Sequence, residues 1–291
     1  MMDPELLVGT LSNVLISSAM FTLAALGFAF IFNMMGILNL AHGAIYMIGG
    51  YVTYQFAVVF GLNPWAAILI SAVIFALFGI FLEKYCFRPF IGNFDFSVVV
   101  CVAVSVILQQ AVNIMVGTKI MSIPSLAEGI FRAGLVSVSY ERITIFVIGG
   151  ILAGIVICFV WKTKMGLQMQ AVTQNREAAS LQGINVNRVY AIACAIGSGL
   201  AAVAGSLMGA FTSLNPFMGD AMLLKVIMLV ILAGAGSTGG VVIGGVILGA
   251  MNAVLPVLFS GEVAEVIYVA IIVVLLLSRP QGLFGHEFEI K

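Results

Sequence analysis

The chain has 291 residues, of which 62% are hydrophobic and 8% are charged, and its basic and acidic side chains balance at 12 each. A soluble domain carries roughly 25% charged residues, and so few charges cannot cover a water-facing surface of this size. The composition therefore excludes a soluble enzyme, a disordered chain and a nucleic-acid-binding protein, and it is typical of a protein embedded in a lipid bilayer.

Apolar segments recur along the whole chain. No charged residue occurs between Glu5 and Glu83, and one membrane crossing needs ~20 apolar residues, so this stretch predicts three helices. Turn-forming sequences at 33–39 and 61–64 separate them, and later breaks define six more segments. The nine predicted spans are residues 6–32, 41–60, 65–82, 96–116, 143–161, 189–211, 222–236, 239–258 and 263–278. The predicted fold class is all-α: a polytopic integral membrane protein with eight or nine transmembrane helices, eight if one short segment is re-entrant.

Glycines and other small residues recur at a spacing of four residues, as at 150/154 and 245/249. Such stripes let helix backbones approach closely in a membrane, so they predict close helix packing.

Lys and Arg cluster after the third, fifth and last predicted spans. Because positively charged loops stay in the cytoplasm, we expect the amino terminus outside and the carboxyl terminus inside. The loop 117–142 departs from this rule, since it would be external yet holds Lys119, Arg132 and Arg142.

The chain lacks the patterns that carry catalysis. It has no GxxxxGK[ST] phosphate-binding loop and no HExxH motif, and its cysteines have no metal-ligand spacing. Ser198 and His42 could in principle form a nucleophile and its base, but a small residue in a packed helix explains Ser198 better. We therefore expect no enzymatic activity, no metal and no cofactor bound by this chain.

The longest polar interruption, residues 162–188, far exceeds the 2–8 residues that usually connect two helices. Residues 167–181 predict one short helix, which Gly183 and Asn185 would end, exposed on the cytoplasmic side. An ordinary surface helix is the simplest interpretation. However, residues 177–179 read Glu-Ala-Ala and are followed by Gly183, and this EAA-x3-G pattern resembles the coupling loop of ABC-importer permeases.

Other segments extend the resemblance over nearly the whole chain, from about residue 20 to residue 285. They are 36–43 (GILNLAHG), 46–51 (YMIGGY), 83–89 (EKYCFRP), 174–179 (QNREAA), 183–186 (GINV), 234–237 (GAGS) and 279–285 (RPQGLFG). The chain is similar to LivH-type permease subunits of branched-chain, or hydrophobic, amino acid ABC importers. Segment 234–237 departs from the commoner Gly-Gly-Xaa-Gly but keeps glycine where the turn must be tight.

The resemblance implies an ABC-importer permease fold that forms a single transmembrane domain over residues 1–291, with 162–188 as its cytoplasmic coupling loop. It implies an ATP-driven importer of branched-chain or other hydrophobic amino acids in a bacterial or archaeal cytoplasmic (inner) membrane. The implied partners are a homologous LivM-type permease, two cytoplasmic ATPases that use ATP and Mg, and an extracytoplasmic substrate-binding protein. Membrane lipid surrounds the assembly, and no nucleic acid is involved.

Within the coupling loop we expect Glu177 to make a polar contact with the ATPase, and Ala178 and Ala179 to permit close approach. The expected coupling residues are Asn175, Arg176, Glu177, Ala178, Ala179 and Gly183.

A second polar segment, residues 33–43, interrupts the apolar sequence at membrane depth. Unsatisfied backbone groups in lipid cost several kcal/mol, so such breaks face protein or water, and broken helices often line substrate paths. Alternatively, Asn39 and His42 only satisfy one another and nearby carbonyls. Asp220 and Lys225 flank the seventh predicted span, where an ion-pair or snorkelling role competes with substrate contact. The candidate path residues are Asn33, Asn39, His42, Gly43, Tyr46 and Asp220.

Two other functions stay open. Urea permeases carry a similar Asn-Xaa-Ala-His-Gly segment, so a urea or amide ABC permease is an alternative. An ion-coupled secondary transporter or channel would also explain the apolar spans. It would not need the coupling pattern, however, and we would expect more membrane-embedded Asp, Glu or Arg for ion coupling.

Overall fold

The computed structural model describes residues 4–117, 119–133, 136–234, 236–279 and 281–284. The two ends of the predicted 1–291 domain, and Ala235, Pro280 and Gly285 of the motif segments, lie outside the described residues. The helices are α1 (Pro4–Met35), α2 (His42–Tyr54), α3 (Pro64–Leu82), α4 (Phe94–Val116), α5 (Tyr140–Lys162), α6 (Lys164–Gln174), α7 (Arg176–Leu181), α8 (Val186–Phe211), α9 (Met218–Ala233), α10 (Thr238–Leu258) and α11 (Gly261–Ser278). Short π-helical turns extend α2 (Gln55–Val59) and α3 (Glu83–Phe87), and a 3₁₀ turn follows at Arg88–Phe90.

Each of the nine predicted spans coincides with a helix. Among the described residues, seven helical stretches are long and apolar enough to cross a membrane. The other two predicted spans are α2, with 13 residues, and α9, with 16. The structure therefore confirms a polytopic helical membrane protein and adds that two of its helices are short.

One end of the bundle carries α6 and α7, and we call it the α7 end. Thr173 of α6 donates a hydrogen bond from Oγ1 to the sulfur of Met34, near the end of α1, at 3.4 Å. At the same end, Asn33 accepts a hydrogen bond from the backbone of Gly236, in the turn between α9 and α10.

The opposite end of the bundle, the far end, carries the long loop before α5. This loop contains a two-stranded antiparallel hairpin, β1 (Ile130–Ala133) and β2 (Val136–Ser139), which the all-helical prediction did not include. Met121 exchanges backbone hydrogen bonds with Leu214, and Arg142 donates to the hydroxyl of Ser12 at 2.9 Å.

Helix α1 lies at the centre of the bundle and is buried along most of its length. Gly245 and Gly249 of α10 lie against Thr22 and Ser18 of α1, so closely that an added Cβ would overlap them. The 245/249 stripe is therefore a helix contact, as predicted. The 150/154 stripe on α5 is not a contact within the described chain, because nothing lies within 4 Å of a Cβ added at Gly150 or Gly154.

Candidate functional sites: the broken helix and the coupling helix

The chain turns back into the bundle between α1 and α2. Gly36 ends α1 with a φ of +66°, a left-handed conformation that glycine adopts at little cost. After a non-helical segment, α2 begins at His42, whose Nε2 lies 3.0 Å from the carbonyl oxygen of Ala24. Ala24 lies roughly three helical turns before the end of α1. Helix α2 therefore starts in the interior of the bundle and not at its surface.

Asn39 and His42 are both buried, with exposed fractions of 0% and 1%. Asn39 accepts a hydrogen bond at Oδ1 from the backbone N–H of Ala41 at 3.1 Å. Because a carbonyl oxygen only accepts, Nε2 of His42 carries the hydrogen and donates it to Ala24. The ring of His42 also meets the ring of Phe28 edge to face, with centroids 5.6 Å apart.

These two side chains do not bond to one another, although His42 does bond to a nearby carbonyl, as the alternative interpretation expected. Each bonds to the backbone and keeps one nitrogen, Nδ2 of Asn39 and Nδ1 of His42, with no hydrogen-bond partner in the described part of the chain. Buried polar atoms without a partner are uncommon in folded proteins. Such atoms favour a functional role for this segment.

Helix α9 meets α2 through Gly219, which is buried although its neighbours Phe217 and Asp220 are exposed. Gly43 of α2 and Gly219 of α9 pack backbone against backbone, since a Cβ added to either residue would overlap the carbonyl oxygen of the other. The two short helices thus contact each other in their first turns. Helix N-termini carry unpaired N–H groups and a partial positive charge, so this junction brings two positive helix ends together at membrane depth.

Two more candidate residues lie beside this junction. Tyr46, one turn along α2, is buried and lines a cavity of about 450 Å³. Asp220 follows Gly219 and accepts a hydrogen bond from Nε2 of Gln109, on α4, at 2.8 Å.

The structure therefore places Asn39, His42, Gly43 and Tyr46 together, whereas Asp220 follows Gly219 but turns its exposed side chain towards α4. Asn33 lies apart from this group, at the α7 end of the bundle.

Residues 162–188, the predicted coupling loop, contain two helices, so the prediction of one helix over 167–181 is wrong. Asn175 separates α6 from α7, and its Oδ1 accepts hydrogen bonds from the backbone N–H groups of Glu177 at 3.0 Å and Ala178 at 2.9 Å. This is the geometry of a helix N-cap. Asn175 therefore starts α7, and Gly183, with a φ of +81°, follows its end.

The surfaces of α7 differ in exposure. Arg176, Glu177 and Ala178 are exposed, whereas Ala179 is 4% exposed and packs into the core of the chain. The small side chain of Ala179 therefore anchors α7 to the bundle and does not face outward.

Leu181, which is not among the coupling residues expected from the sequence, is 87% exposed. It lies three residues after Ala178, so the two share one face of α7. The signal in the sequence was a leucine three residues after Ala178, the one large apolar residue of α7.

Known transport permeases resemble this chain in sequence over nearly its whole length. A family model described as "Branched-chain amino acid transport system / permease component" matches residues 10–276. The chain belongs to this family. BraD of Pseudomonas aeruginosa, named a high-affinity branched-chain amino acid transport system permease protein, is 30% identical over 95% of both chains. LivH of Salmonella typhimurium, with the same descriptive name, is 31% identical over 91% of both.

A solved structure shares the fold of this permease. PsaBC from Streptococcus pneumoniae, in complex with Fab, matches with a TM-score of 0.54 and 15% identity over 94% of this chain and 92% of that one. The resemblance read from the motif segments is thus confirmed for the family and the fold.

In this permease α7 contacts α8 and α6 contacts α1, and these two membrane helices pack around the broken segment. The guanidinium of Arg176 lies beside the hydroxyl of Tyr190 on α8, and α6 contacts the end of α1. Further along, α1 and α8 pack against each other at Gly27 and Gly197, beside the ring of His42. Packed helices therefore connect α6 and α7 to the broken segment.

An ion pair between a buried carboxylate and a partly exposed arginine lies in the same half of the bundle. The side chain of Glu83 is fully buried and accepts two hydrogen bonds from Arg88, at 2.8 and 2.6 Å. Both residues belong to the motif segment 83–89. The paired geometry satisfies the carboxylate, which would otherwise be an unpaired buried charge.

Proposed function

We propose that this permease is the transmembrane subunit of an ATP-driven importer of branched-chain or other hydrophobic amino acids. The observation that carries the proposal is α7, a short exposed helix that projects from an otherwise apolar bundle and contacts α8. A helix in this position gives a separate motor subunit a surface to push. The cargo is supported by the names of the relatives, which assign branched-chain amino acids to their transport systems.

The complete transporter would contain a LivM-type permease, two ATPases and an extracytoplasmic binding protein, in a bacterial or archaeal cytoplasmic (inner) membrane. ATP and Mg²⁺ would be used by the ATPases. The basic residues of the α7 end support its placement in the cytoplasm. They are Lys84, Arg88, Lys162, Lys164, Arg176, Arg188 and Arg279.

The translocation path would pass the junction of α2 and α9. An amino acid crosses as a zwitterion, and the positive ends of two helices at membrane depth stabilise its carboxylate without a fixed charge. The unpaired nitrogens of Asn39 and His42 would add polar contacts for the passing substrate.

Uptake into proteoliposomes tests the proposed function. The permease pair, the ATPases and the binding protein are reconstituted together, and uptake of labelled leucine, isoleucine, valine and urea is measured with ATP inside the vesicles. We expect uptake of the amino acids that stops without ATP and persists when ionophores collapse ion gradients. Uptake of urea alone would assign the urea alternative. Uptake that requires an ion gradient and no ATP would assign a secondary transporter.

Substitutions on α7 should separate the ATPase from the permease. Leu181→Asp and Glu177→Arg each change an exposed side chain, so the bundle should fold normally while co-purification of the ATPase falls by about tenfold or more. Matched controls at the far end are Leu62→Asp and Glu128→Arg, which also change exposed side chains. Full ATPase association in the α7 variants would remove α7 from the docking surface.

A further inference from the structure

A second cavity, of about 610 Å³, lies between α9, α10 and α11. Most of its wall is apolar, and its polar side chains gather in one cluster. The apolar residues include Leu224, Met228, Met251, Leu255, Pro256 and Val269, and the polar cluster consists of Lys225, Asn252, Glu262, Glu265 and Tyr268. Asn252 and Glu265 lie within two turns of the helix ends that face away from α7. The cavity therefore belongs to the far half of the bundle.

Lys225 is the cation of this cluster. Its Nζ lies 2.7 Å from Oδ1 of Asn252 and 3.7 Å from a carboxylate oxygen of Glu265. The rings of Phe21 and Tyr268 lie 5.9 and 5.7 Å from it. An ammonium has three hydrogens to donate, so Nζ can bind a further acceptor beside Asn252. Lys225 does not pair with Asp220, its neighbour in sequence, which bonds to α4 instead.

Tyr268 gives an independent indication of a ligand. Its side chain lines the cavity and is 4% exposed, yet its hydroxyl has no hydrogen-bond partner among the residues that the structure describes. A buried hydroxyl left unpaired costs about 1–3 kcal/mol. A ligand that accepted a hydrogen bond from Tyr268 would recover that free energy.

We propose that this cavity binds the zwitterion of a hydrophobic amino acid, an inference that rests on the proposed cargo. Lys225 and the hydroxyl of Tyr268 bind the carboxylate, and the carboxylates of Glu262 and Glu265 bind the ammonium group. The apolar wall holds the side chain, and its two methionines adapt to side chains of different shape. The volume lies within the range of about 300–1,000 Å³ that is usual for small-molecule sites.

This cavity lies beside the proposed translocation path at the α2–α9 junction. Lys225 lies less than two helical turns after Gly219 on α9, so one helix connects the cavity to the α2–α9 junction. An amino acid held here would lie next to the junction through which we propose that it passes.

The test measures equilibrium binding of tritiated leucine to the complete transporter, without the binding protein, in phosphatidylcholine nanodiscs. Lys225→Met should weaken binding by about tenfold or more, since it removes a charged hydrogen bond. Tyr268→Phe keeps the shape of the side chain and should weaken binding by about fivefold. A photoreactive diazirine analogue of leucine should label peptides of α9 and α10 in the wild type, and unlabelled leucine should block that labelling.

The chain offers a matched control pair at the α7 end. Nζ of Lys84 lies 5.2 Å from the ring centroid of Tyr85, and both residues are exposed. Lys84→Met and Tyr85→Phe therefore remove the same chemical groups outside the cavity, and we expect wild-type binding from both. Melting curves of all four variants report whether each complex is folded.

The possible failures can be told apart. If the transporter imports leucine but both cavity variants bind it like the wild type, the cavity inference is wrong and the proposed function stands. The same holds if native mass spectrometry finds an ethanolamine phospholipid in the cavity that leucine does not displace. If the wild type neither imports nor binds a hydrophobic amino acid, the proposed function fails together with the inference.

Discussion

Replacing Gly43 with alanine should reduce amino acid uptake to less than about a tenth of the wild-type rate while the ATPases remain bound. An alanine Cβ would overlap the carbonyl oxygen of Gly219 and would also lie 2.9 Å from the Cβ of Leu223. Backbone cannot rotate away as a flexible side chain can, so α2 and α9 would have to separate. Overpacking of this kind costs about 1–3 kcal/mol, which displaces the helices without unfolding the bundle.

Uptake and ATPase co-purification are measured on the same reconstituted preparation. The matched control is Gly150→Ala in α5, where nothing in the described chain lies within 4 Å of the added Cβ, and it should transport normally. Normal uptake by the Gly43→Ala transporter would show that the α2–α9 junction is not on the path.

Arg88→Met should destabilise the permease by about 3–5 kcal/mol, because it leaves the fully buried carboxylate of Glu83 without its partner. The double variant Glu83→Leu/Arg88→Met removes both charges and should recover most of this loss, since two apolar side chains can replace a buried ion pair. The free energy of unfolding is measured by denaturant titration in detergent micelles.

Arg188→Met is the control for Arg88, because Arg188 is an exposed basic residue at the same end of the bundle. Its stability should change by less than about 0.5 kcal/mol. A double variant as unstable as the single one would mean that Arg88 acts through packing and not through its charge.

The positions of the membrane helices could be predicted from the sequence, because hydropathy and turn residues are local signals. The depth at which α2 begins could not, since it depends on the contact between His42 and Ala24, eighteen residues apart. The break between α6 and α7 at Asn175 was not predicted, for a different reason. The residues around Asn175 favour a helix on both sides, and the capping hydrogen bonds of its side chain end one helix and start the next.

The residues of the candidate sites were also predictable only where the signal was local in the sequence. The break at 33–43 was visible as polar residues in an apolar run, but only the fold separates Asn33 from His42, because α1 continues past Asn33 before the chain turns back. Lys225 and Glu265 are forty residues apart, and Tyr268 lies in an apolar segment that reads as plain membrane helix. One sequence carries no signal for contacts between such distant residues.

The small size of α7 has a consequence for how such transporters change over time. Six residues are too few to form a stable helix alone, so α7 depends on its cap at Asn175 and on the anchoring of Ala179. The membrane helices pack against one another, and within the described residues none of these contacts involves the exposed face of α7. If α7 docks the motor subunit as proposed, a few substitutions on that face would match the permease to a different motor subunit without altering the packing of the membrane helices.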